Sequence, residues 1–413
     1  MGGMLGNYAA VAGQDVVRQL KLLATPLRGL SVVHVNSTRR GGGVAEILDK
    51  LVPLMCELGL DARWEVIEGS DGFYQCTKHF HNALQGHPSP VAEDLLREYE
   101  RVNQENASRL RSDLESADVV IIHDPQPAAL LSHMPARRGK WIWRCHIDVS
   151  HPYRPVWRYL RPFVAGYDAS VFSLADFAQV LPHPAYLIPP SIDPLSEKNR
   201  ELPPEDIDAC CRRFGVDRER PMILQVSRFD RFKDPVGVVA AFQLARSFVP
   251  GLQLVLAGGG AADDPEGDVV LREVQTVARG DPDIHVLLLP ADANLVINAL
   301  QRAAEVVLQK SIREGFGLTV TEALWKRRAV IGGDTGGIRL QVIDHQTGFL
   351  VSSPEGAALR LRYLLHHRDR SAQMGAAGHE HVLQNFLITR QLREYLTLIL
   401  GLVRGSVDRL ELA

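Results

Sequence analysis

The sequence lacks the features that mark membrane, disulfide-stapled and nucleic-acid-binding proteins. No apolar run approaches the roughly 18 residues of a membrane span, and a net charge of −3 gives no electrostatic reason to bind nucleic acid. The N-terminus has no basic segment leading into a long apolar stretch, so we expect no secretory signal. The five cysteines form no C-x-x-C pair and are expected to be reduced thiols. We therefore expect a cytoplasmic protein without membrane or nucleic-acid partners.

Metal-binding and dinucleotide-binding motifs are missing as well. The chain has no H-x-x-x-H or H-E-x-x-H spacing and no D-x-D at a predicted strand end, so we predict no metal site. Its glycine-rich turn at Arg39–Val44 differs from the G-x-G-x-x-G fingerprint. A hydride-transfer enzyme is therefore disfavoured. For this segment alone, a plain tight turn and a phosphate-binding turn both stay open.

What the sequence does contain is a repeated alternation of strand-like and helix-like segments. With 413 residues the chain is too long for one ordinary core, so two domains are expected. The predicted strands are continuous apolar runs rather than alternating ones, which is typical of parallel strands buried on both faces. In the first half they are Leu30–Asn36, Arg63–Glu68, Asp118–His123, Trp141–His146, Ala169–Ser173 and Tyr186–Pro189.

The alternation restarts after a polar, proline-containing stretch from Pro189 to Pro204, which is predicted to link the domains. The second set of predicted strands is Met222–Val226, Leu252–Ala257, Ile284–Leu288, Val306–Gln309, Ala329–Ile331 and Phe349–Val351. Two such series predict an α/β protein with two doubly wound, Rossmann-like domains. We place the first domain at residues 1–195 and the second at 205–387, followed by an apolar C-terminal helix within 388–413.

The most informative segment is Ser311–Ala323, in which Glu314 and Glu322 stand eight residues apart around Gly315-Phe316-Gly317. Glycines permit close backbone approach to a ligand, and the start of the following helix offers free N–H groups to a phosphate. Glu322 then lies about two turns along that helix, at roughly 1.5 Å per residue. Two hydroxyl-binding carboxylates beside a phosphate site indicate a sugar-nucleotide pocket. The alternative is a surface turn with two exposed acids.

Basic and polar residues follow other predicted strands at the edge where open α/β sheets bind ligands. Arg228 and Lys233 come after the first strand of the second domain and could clamp a diphosphate. In the first domain, Ile122–Pro127 and Trp143–Asp148 end two strands with polar side chains. A solvated basic loop and structural histidines are the alternatives for these segments taken singly.

Taken together, these segments resemble the E-x7-E motif and its surroundings in the retaining, GT-B-fold glycosyltransferases of family 4. Within that family, Val33–Thr38, Ile122–Pro127, Trp141–Asp148, Pro189–Asn199 and Ile312–Trp325 resemble the trehalose glycosyltransferring synthases in particular. The similarity spans about residues 30–400. One departure is Arg231-Phe232-Lys233-Asp234, where related chains often carry Pro-Trp-Lys-Gly, so the preferred donor base stays open.

The resemblance implies a GT-B fold, in which the two domains face each other across a cleft and the last helix returns to the first domain. It also implies donor-side roles. The donor-binding residues would be Gly42, Gly43, Arg228, Lys233, Glu314, Gly315, Phe316, Gly317, Leu318 and Glu322. Glu314, Arg228, Lys233 and His146 would serve catalysis, with Glu314 on the donor sugar and Glu322 on the ribose. Asp124, Gln126 and Asp148 would bind the acceptor.

The implied reaction is transfer of glucose from ADP-, UDP- or GDP-glucose to free glucose, reversibly giving α,α-trehalose and the nucleoside diphosphate. No cofactor would be required, while Mg²⁺ as an activator and a homodimer stay open. A trehalose phosphorylase, and a related transferase with another acceptor such as a sucrose synthase, are the alternatives within the fold. A sugar-nucleotide epimerase and a non-catalytic nucleotide-sugar sensor are the others.

Overall fold

The computed structural model describes residues 3–259 and 265–405, with only the backbone at 265 and 266. The chain divides into two compact units, of which the first contains Met1–Ser191 and Ile388–Ala413 and the second contains Ile192–Leu387. The predicted first domain therefore runs four residues past the division. Residues 406–413, predicted as the end of the last helix, lie outside the described part of the chain.

A six-stranded parallel sheet forms the centre of the first unit. Its strands are β1 Ser31–Asn36, β2 Asp61–Val66, β3 Val119–His123, β4 Lys140–Arg144, β5 Ala169–Phe172 and β6 Ala185–Leu187. They lie in the order β2-β1-β3-β4-β5-β6. Every side chain of β3 and of β5 is buried, because helices cover both faces of the sheet. The carboxyl ends of β3 and β4 are therefore adjacent, with His123 opposite Arg144 in the register.

Two helices precede these strands and the others connect them. They are α1 Met4–Ala12, α2 Gln14–Ala24, α3 Gly43–Glu57, α4 Asp71–Leu84, α5 Glu93–Ser116 and α6 Arg154–Ala165. Helix α3 is amphipathic, and its apolar face packs on the core, with Leu48, Leu51 and Met55 fully buried. Gly59 follows this helix with a φ of 95°, the left-handed geometry that commonly ends a helix.

The second unit is also built on a six-stranded parallel sheet. Its strands are β7 Met222–Val226, β8 Gln253–Gly258, β9 Ile284–Leu288, β10 Val306–Gln309, β11 Ala329–Gly333 and β12 Gly348–Val351. The order β12-β11-β10-β7-β8-β9 places the topological switch point between β7 and β10. Open sheets bind ligands at such a point, outside the carboxyl ends of the strands.

The helices of the second unit are α7 Pro204–Arg213, α8 Pro235–Ala245, α9 Pro265–Ala278, α10 Asn294–Ala303, α11 Leu318–Trp325, α12 Ile338–Gln341, α13 Pro354–His366 and α14 Arg368–Asn385. The stretch predicted as a linker is largely part of this unit. The side chain of Asn298 on α10 donates to the carbonyls of Glu197 and Arg200, each at 2.8 Å. The backbone of this stretch is therefore fixed by side-chain hydrogen bonds.

The last described helix, α15 Ile388–Arg404, groups with the first unit. It buries Leu392, Leu396, Ile399 and Leu400, and its Arg390 donates to the carbonyls of Pro189 and Pro190. Among the described residues, we find no helix with the length and hydropathy needed to cross a bilayer.

Candidate active site residues in the two units

Glu314 lies in the loop between β10 and α11 and is already paired. Its Oε2 accepts from the Lys233 ammonium at 2.5 Å and from the Ser311 hydroxyl at 3.1 Å. The carboxylate is only 8% exposed, so this charge-assisted pair sits in a partly desolvated environment. The structure thus brings together two predicted site residues that are 81 positions apart in the chain.

Helix α11 begins directly after this loop with an uncapped N-terminus. Gly317 precedes it at φ 86° in the left-handed region, and no side chain caps the helix there. The Val320 amide donates to the Gly317 carbonyl at 3.0 Å, so among the described residues the amides of Leu318 and Thr319 are the ones left for another acceptor. An anion fits such a helix start because the amides and the helix dipole both favour negative charge.

The segment after β11 is hydrogen-bonded to the loop that contains Glu314. Gln341 donates to the carbonyl of Phe316 at 2.6 Å, and the Gly337 amide donates to that of Glu314 at 3.3 Å. A Cβ at position 337 would lie 2.4 Å from the Cα of Phe316. Only glycine permits this approach, so the turn at 334–337 supports the loop directly.

The two predicted cations after β7 differ in exposure. Lys233 ends the short 3₁₀ turn Arg231–Lys233 with its side chain 19% exposed, whereas the Arg228 side chain is 52% exposed and lies 3.5 Å from Asp230. Asp230 also accepts from the amide of Phe232 at 2.7 Å, which orders the turn. Arg231, which the motif did not select, pairs with Glu273 on α9 at 2.8 Å.

Glu322 is buried on α11, in a polar cluster that sequence reasoning missed in part. Its carboxylate lies 3.5 Å from the Gln301 amide and 3.8 Å from the Lys198 ammonium. One turn later Lys326 is buried, and its Nζ donates to Asn199 at 3.0 Å and to Gln301 at 2.8 Å. Burial lowers the pKa of Lys326 to about 7, against the nearby Glu322 carboxylate, which favours the ammonium. The i, i+4 spacing could have suggested Lys326, but nothing in the sequence links Lys198 to Glu322.

In the first unit, Asp124 and His146 come together at the carboxyl ends of β3 and β4. The Asp124 carboxylate accepts from the backbone N–H of His146 at 2.6 Å, and Asp124 has a φ of 65°. Burial raises the pKa of Asp124 to about 6, while the His146 amide and the Arg144 guanidinium act in the opposite direction. The strand predicted to reach His146 ends at Arg144, because the His146 amide bonds this carboxylate instead of the sheet.

The His146 ring is bonded to a second histidine that was not predicted as a site residue. His146 Nε2 lies 3.0 Å from His123 Nδ1, and His123 Nε2 lies 3.0 Å from His34 Nδ1. Burial lowers the pKa of His34 to about 3 and those of His123 and His146 well below the usual value. The Arg144 guanidinium adds to the effect at His123 and His146, so all three rings are neutral near pH 7.

The other predicted first-unit residues lie near strand or helix ends. Asp148 is buried and accepts from the hydroxyl and the amide of Ser150 at 2.6 and 3.0 Å. Gln126 is half-buried and its carbonyl accepts from Asn103. Gly42 precedes α3 with a φ of 82°, and Gly43 is the first residue of that helix, which also lacks a side-chain cap.

The second unit therefore supplies an anion-compatible helix start with a paired acid and base. The first unit supplies a neutral histidine, His146, whose amide donates to the half-buried Asp124. The described residues bring together no group of three or more histidine, cysteine or acidic side chains that could hold a metal ion. Residues 260–264, part of a glycine- and aspartate-rich stretch after β8, lie outside the description.

Comparison with known proteins identifies the family. A sequence profile described as the trehalose synthase N-terminal domain matches residues 34–179, and a glycosyl transferases group 1 profile matches residues 209–381. A trehalose synthase of Pyrococcus horikoshii is 46% identical over 400 residues, covering 96% of this chain and 95% of that protein. A trehalose synthase of Rubrobacter xylanophilus is 43% identical, covering 97% of each.

A comparison with solved structures identifies the fold. An E. coli structure described as trehalose-6-phosphate bound with UDP-2-fluoro glucose superposes with a TM-score of 0.73 at 14% identity, covering 89% of this chain and 98% of that one. At this identity the likeness concerns the fold, which is the GT-B fold expected from the sequence. With the sequence identities above, it follows that the chain belongs to the trehalose synthase family of GT-B glycosyltransferases.

Proposed function

We propose that the protein transfers glucose from a nucleoside diphosphate glucose to the anomeric hydroxyl of free glucose. The products are α,α-trehalose and the nucleoside diphosphate, with retention at the donor carbon, and the reaction is reversible. Membership of the trehalose synthase family supports the product. The bound UDP-2-fluoro glucose of the E. coli protein with the same fold supports a nucleotide sugar as donor.

The observation that carries the proposal is the Lys233–Glu314 pair beside the uncapped start of α11. A diphosphate at the helix start would give Lys233 a second anionic partner and free Glu314 for sugar hydroxyls. Lys233, Arg228 and the α11 amides would then stabilise the negative charge on the leaving diphosphate. Glu314 would stabilise the positive charge that develops on the transferred sugar.

Glu322 is proposed to bind the donor ribose. Its carboxylate is buried, 3.5 Å from the Gln301 amide nitrogen and 3.8 Å from the Lys198 ammonium, before any ligand arrives. A phosphorylase would use inorganic phosphate in place of the nucleotide and would not need this carboxylate for a ribose. The proposal therefore favours transfer from a nucleotide sugar over phosphorolysis.

On the acceptor side, Asp148 and Gln126 are proposed to bind glucose hydroxyls, and His146 to contact the transferred sugar. Asp124 has its carboxylate on the His146 amide, so an acceptor contact would use its remaining lone pairs. Gly42 and Gly43 are proposed to admit the donor at the start of α3, where the amides are free of a side-chain cap.

Incubation of the purified protein with ADP-, UDP- or GDP-glucose, with and without glucose, tests the proposal when products are followed by NMR. We expect an α,α-1,1-linked disaccharide only when glucose is present, and the three donors rank the base. Donor consumption without glucose would instead indicate epimerisation or hydrolysis. Turnover of trehalose with inorganic phosphate alone would indicate a phosphorylase, and binding without turnover a sensor.

We further propose that the protein needs no cofactor, that Mg²⁺ acts only as an activator that aids diphosphate release, and that it works in the cytoplasm. Dialysis against EDTA should then leave turnover measurable, and added Mg²⁺ should raise kcat without being essential. Complete loss of turnover in EDTA that Mg²⁺ restores would contradict this. Light scattering of the purified protein would show whether it is a homodimer.

A further inference from the structure

The first unit contains a buried chain of three histidines. The ring pairs His34–His123 and His123–His146 lie with centroids 5.3 and 5.4 Å apart and planes 25° and 18° from parallel. Each pair shares a nitrogen–nitrogen hydrogen bond of 3.0 Å. His34 and His123 are almost completely buried, whereas His146 at the end of the chain is partly exposed.

The number of protons on neutral imidazole rings limits which of the three histidines can donate and which must accept. A neutral imidazole carries one N–H, so the middle ring, His123, must donate to one neighbour and accept from the other. If His34 donates to His123, then His123 donates to His146 Nε2, and His146 keeps its proton on Nδ1. If the order is reversed, His146 donates from Nε2 and Nδ1 is a bare acceptor. The tautomer of His34 therefore fixes the tautomer of His146.

The buried end favours the first order. His34 Nε2 is buried and has no hydrogen-bond partner among the described residues, and the Tyr395 ring on α15 lies edge-on to the His34 ring with the ring centroids 6.2 Å apart. In the first order His34 Nε2 carries a lone pair. In the reversed order it carries a proton for which the described residues offer no acceptor. Buried N–H groups without an acceptor are rarer in proteins than under-satisfied acceptors.

The surroundings of the chain keep the rings neutral and fixed. Arg144 is completely buried beside them, and its Nε and Nη1 have no hydrogen-bond partner in the structure. A proton added to His123 or His146 would meet this guanidinium in a desolvated environment. The backbone of His146 is held separately by the Asp124 carboxylate at 2.6 Å. His146 is therefore fixed through both its main chain and its ring.

We propose that His34 and His123 are positioning residues, which orient the His146 ring and hold it in the tautomer that presents Nδ1–H as a hydrogen-bond donor. The use of that donor rests on the proposed function, in which His146 contacts the transferred sugar. A hydrogen bond to a sugar oxygen that strengthens in the transition state would appear in kcat rather than in the donor KM. Loss of the chain leaves His146 in place but free to rotate and change tautomer.

Two substitution pairs test the proposal. His123→Asn can keep a donor near the position of Nδ1, whereas His123→Leu removes both hydrogen bonds. His34→Asn and His34→Leu make the same comparison at the far end. His183→Leu is the control, since the His183 ring is hydrogen-bonded instead to the Ser170 hydroxyl, at 2.5 Å, in the same unit.

The first readout is NMR of protein labelled with ¹⁵N in histidine, which reports each ring tautomer without any substrate. We expect the wild-type His146 to be protonated at Nδ1, His34→Leu to change its spectrum, and His34→Asn and His183→Leu to preserve it. An unchanged His146 spectrum in His34→Leu, or wild-type protonation at Nε2, would overturn the proposal.

The second readout is turnover. We expect kcat to fall by up to about 100-fold in His123→Leu, the scale of a small misplacement of a reacting group. The donor KM should change little, and His123→Asn should recover most of the loss. Wild-type kcat in a folded His123→Leu would refute the positioning role. If the wild type makes no trehalose at all, the proposed function fails, while the NMR result still decides on the histidine chain.

Discussion

At the scale of single residues, several candidate site residues of each unit are held by hydrogen bonds or ion pairs before any substrate binds. Glu314 is held by Lys233, Glu322 by Gln301 and Lys198, and the Asp124 carboxylate by an amide. Charged groups that are desolvated and fixed in advance need little reorganisation when a ligand arrives. Each of them nevertheless has a different predicted task, which substitution can separate.

Replacement of Glu314 by alanine should nearly abolish turnover, because it removes the group proposed to stabilise charge on the transferred sugar. The expected loss in kcat is about 1,000-fold, the upper range for one transition-state interaction. Steady-state kinetics with saturating donor and glucose measure it. Glu273→Ala is the matched control, since it breaks the Arg231 ion pair in the same unit. A kcat close to wild type would remove Glu314 from the chemistry.

Replacement of Glu322 by alanine should act mainly on donor binding. Loss of a hydrogen bond to a charged group costs roughly 1.5–3 kcal/mol, which corresponds to about a 10- to 100-fold rise in the donor KM. The kcat at saturating donor should change much less. Inhibition by the free nucleoside diphosphate should weaken in parallel. An unchanged donor KM together with a large fall in kcat would contradict the assignment to the ribose.

At the scale of secondary-structure elements, the start of α11 depends on backbone geometry that side chains cannot supply. Gly317 holds the left-handed conformation that begins the helix, and a Cβ there would lie 3.1 Å from Cγ of Glu314. The loop is then supported by the turn that contains Gly337. Small changes in this backbone therefore move a proposed catalytic carboxylate.

The substitution Gly317→Ala should reduce both stability and activity. An alanine at a φ of 86° costs about 1 kcal/mol of unfolding free energy, and its Cβ would displace Glu314. Gly280→Ala is the matched control, since Gly280 has a φ of 68° and, apart from its chain neighbours, no described residue has an atom within 4 Å of the added Cβ. We expect similar losses in thermal stability but a fall in kcat only for Gly317→Ala. Equal activity of the two variants would show that the loop tolerates the added atom.

At the scale of the whole molecule, buried neutral histidines make the folded state sensitive to acid. His34 is neutral when folded because its pKa is lowered to about 3, whereas the unfolded chain takes up this proton below about pH 6.5. Stability from this group is therefore lost as the pH falls below about 6.5. Asp124 acts in the opposite direction, because its pKa is raised to about 6 and the folded form gains its proton first.

Among the described residues, seven histidines have a lowered pKa and one aspartate has a raised pKa, which predicts a net loss of stability between pH 7 and 5. The histidines are His34, His123, His133, His146, His183, His285 and His379. The contribution of His34 approaches about 1.4 kcal/mol per pH unit once the unfolded chain is protonated. Urea unfolding at several pH values should show this slope in the free energy of unfolding. His34→Asn should reduce the slope by the amount that corresponds to about one bound proton. His366→Asn, at an exposed position of the second unit, is the matched control. An equal slope in wild type and His34→Asn would refute the role of His34.

The sequence by itself determined the fold class and most of the strands, because continuous apolar runs between amphipathic helices are a local pattern. Met222–Val226, Ile284–Leu288 and Val306–Gln309 begin and end where predicted. The glycine turn at 315–317 and the two glutamates were readable for the same reason, since their spacing lies within one loop and one helix. The family followed from these segments and is confirmed by the relatives.

Only the tertiary structure decided which side chains meet. The contacts between Lys233 and Glu314, Lys198 and Glu322, and His34 and His123 join residues 81, 124 and 89 positions apart. No local pattern encodes such pairs, because they arise only when folding brings distant strands, helices and loops together. The same holds for the pKa values of the histidines, which depend on how completely the folded chain removes them from water.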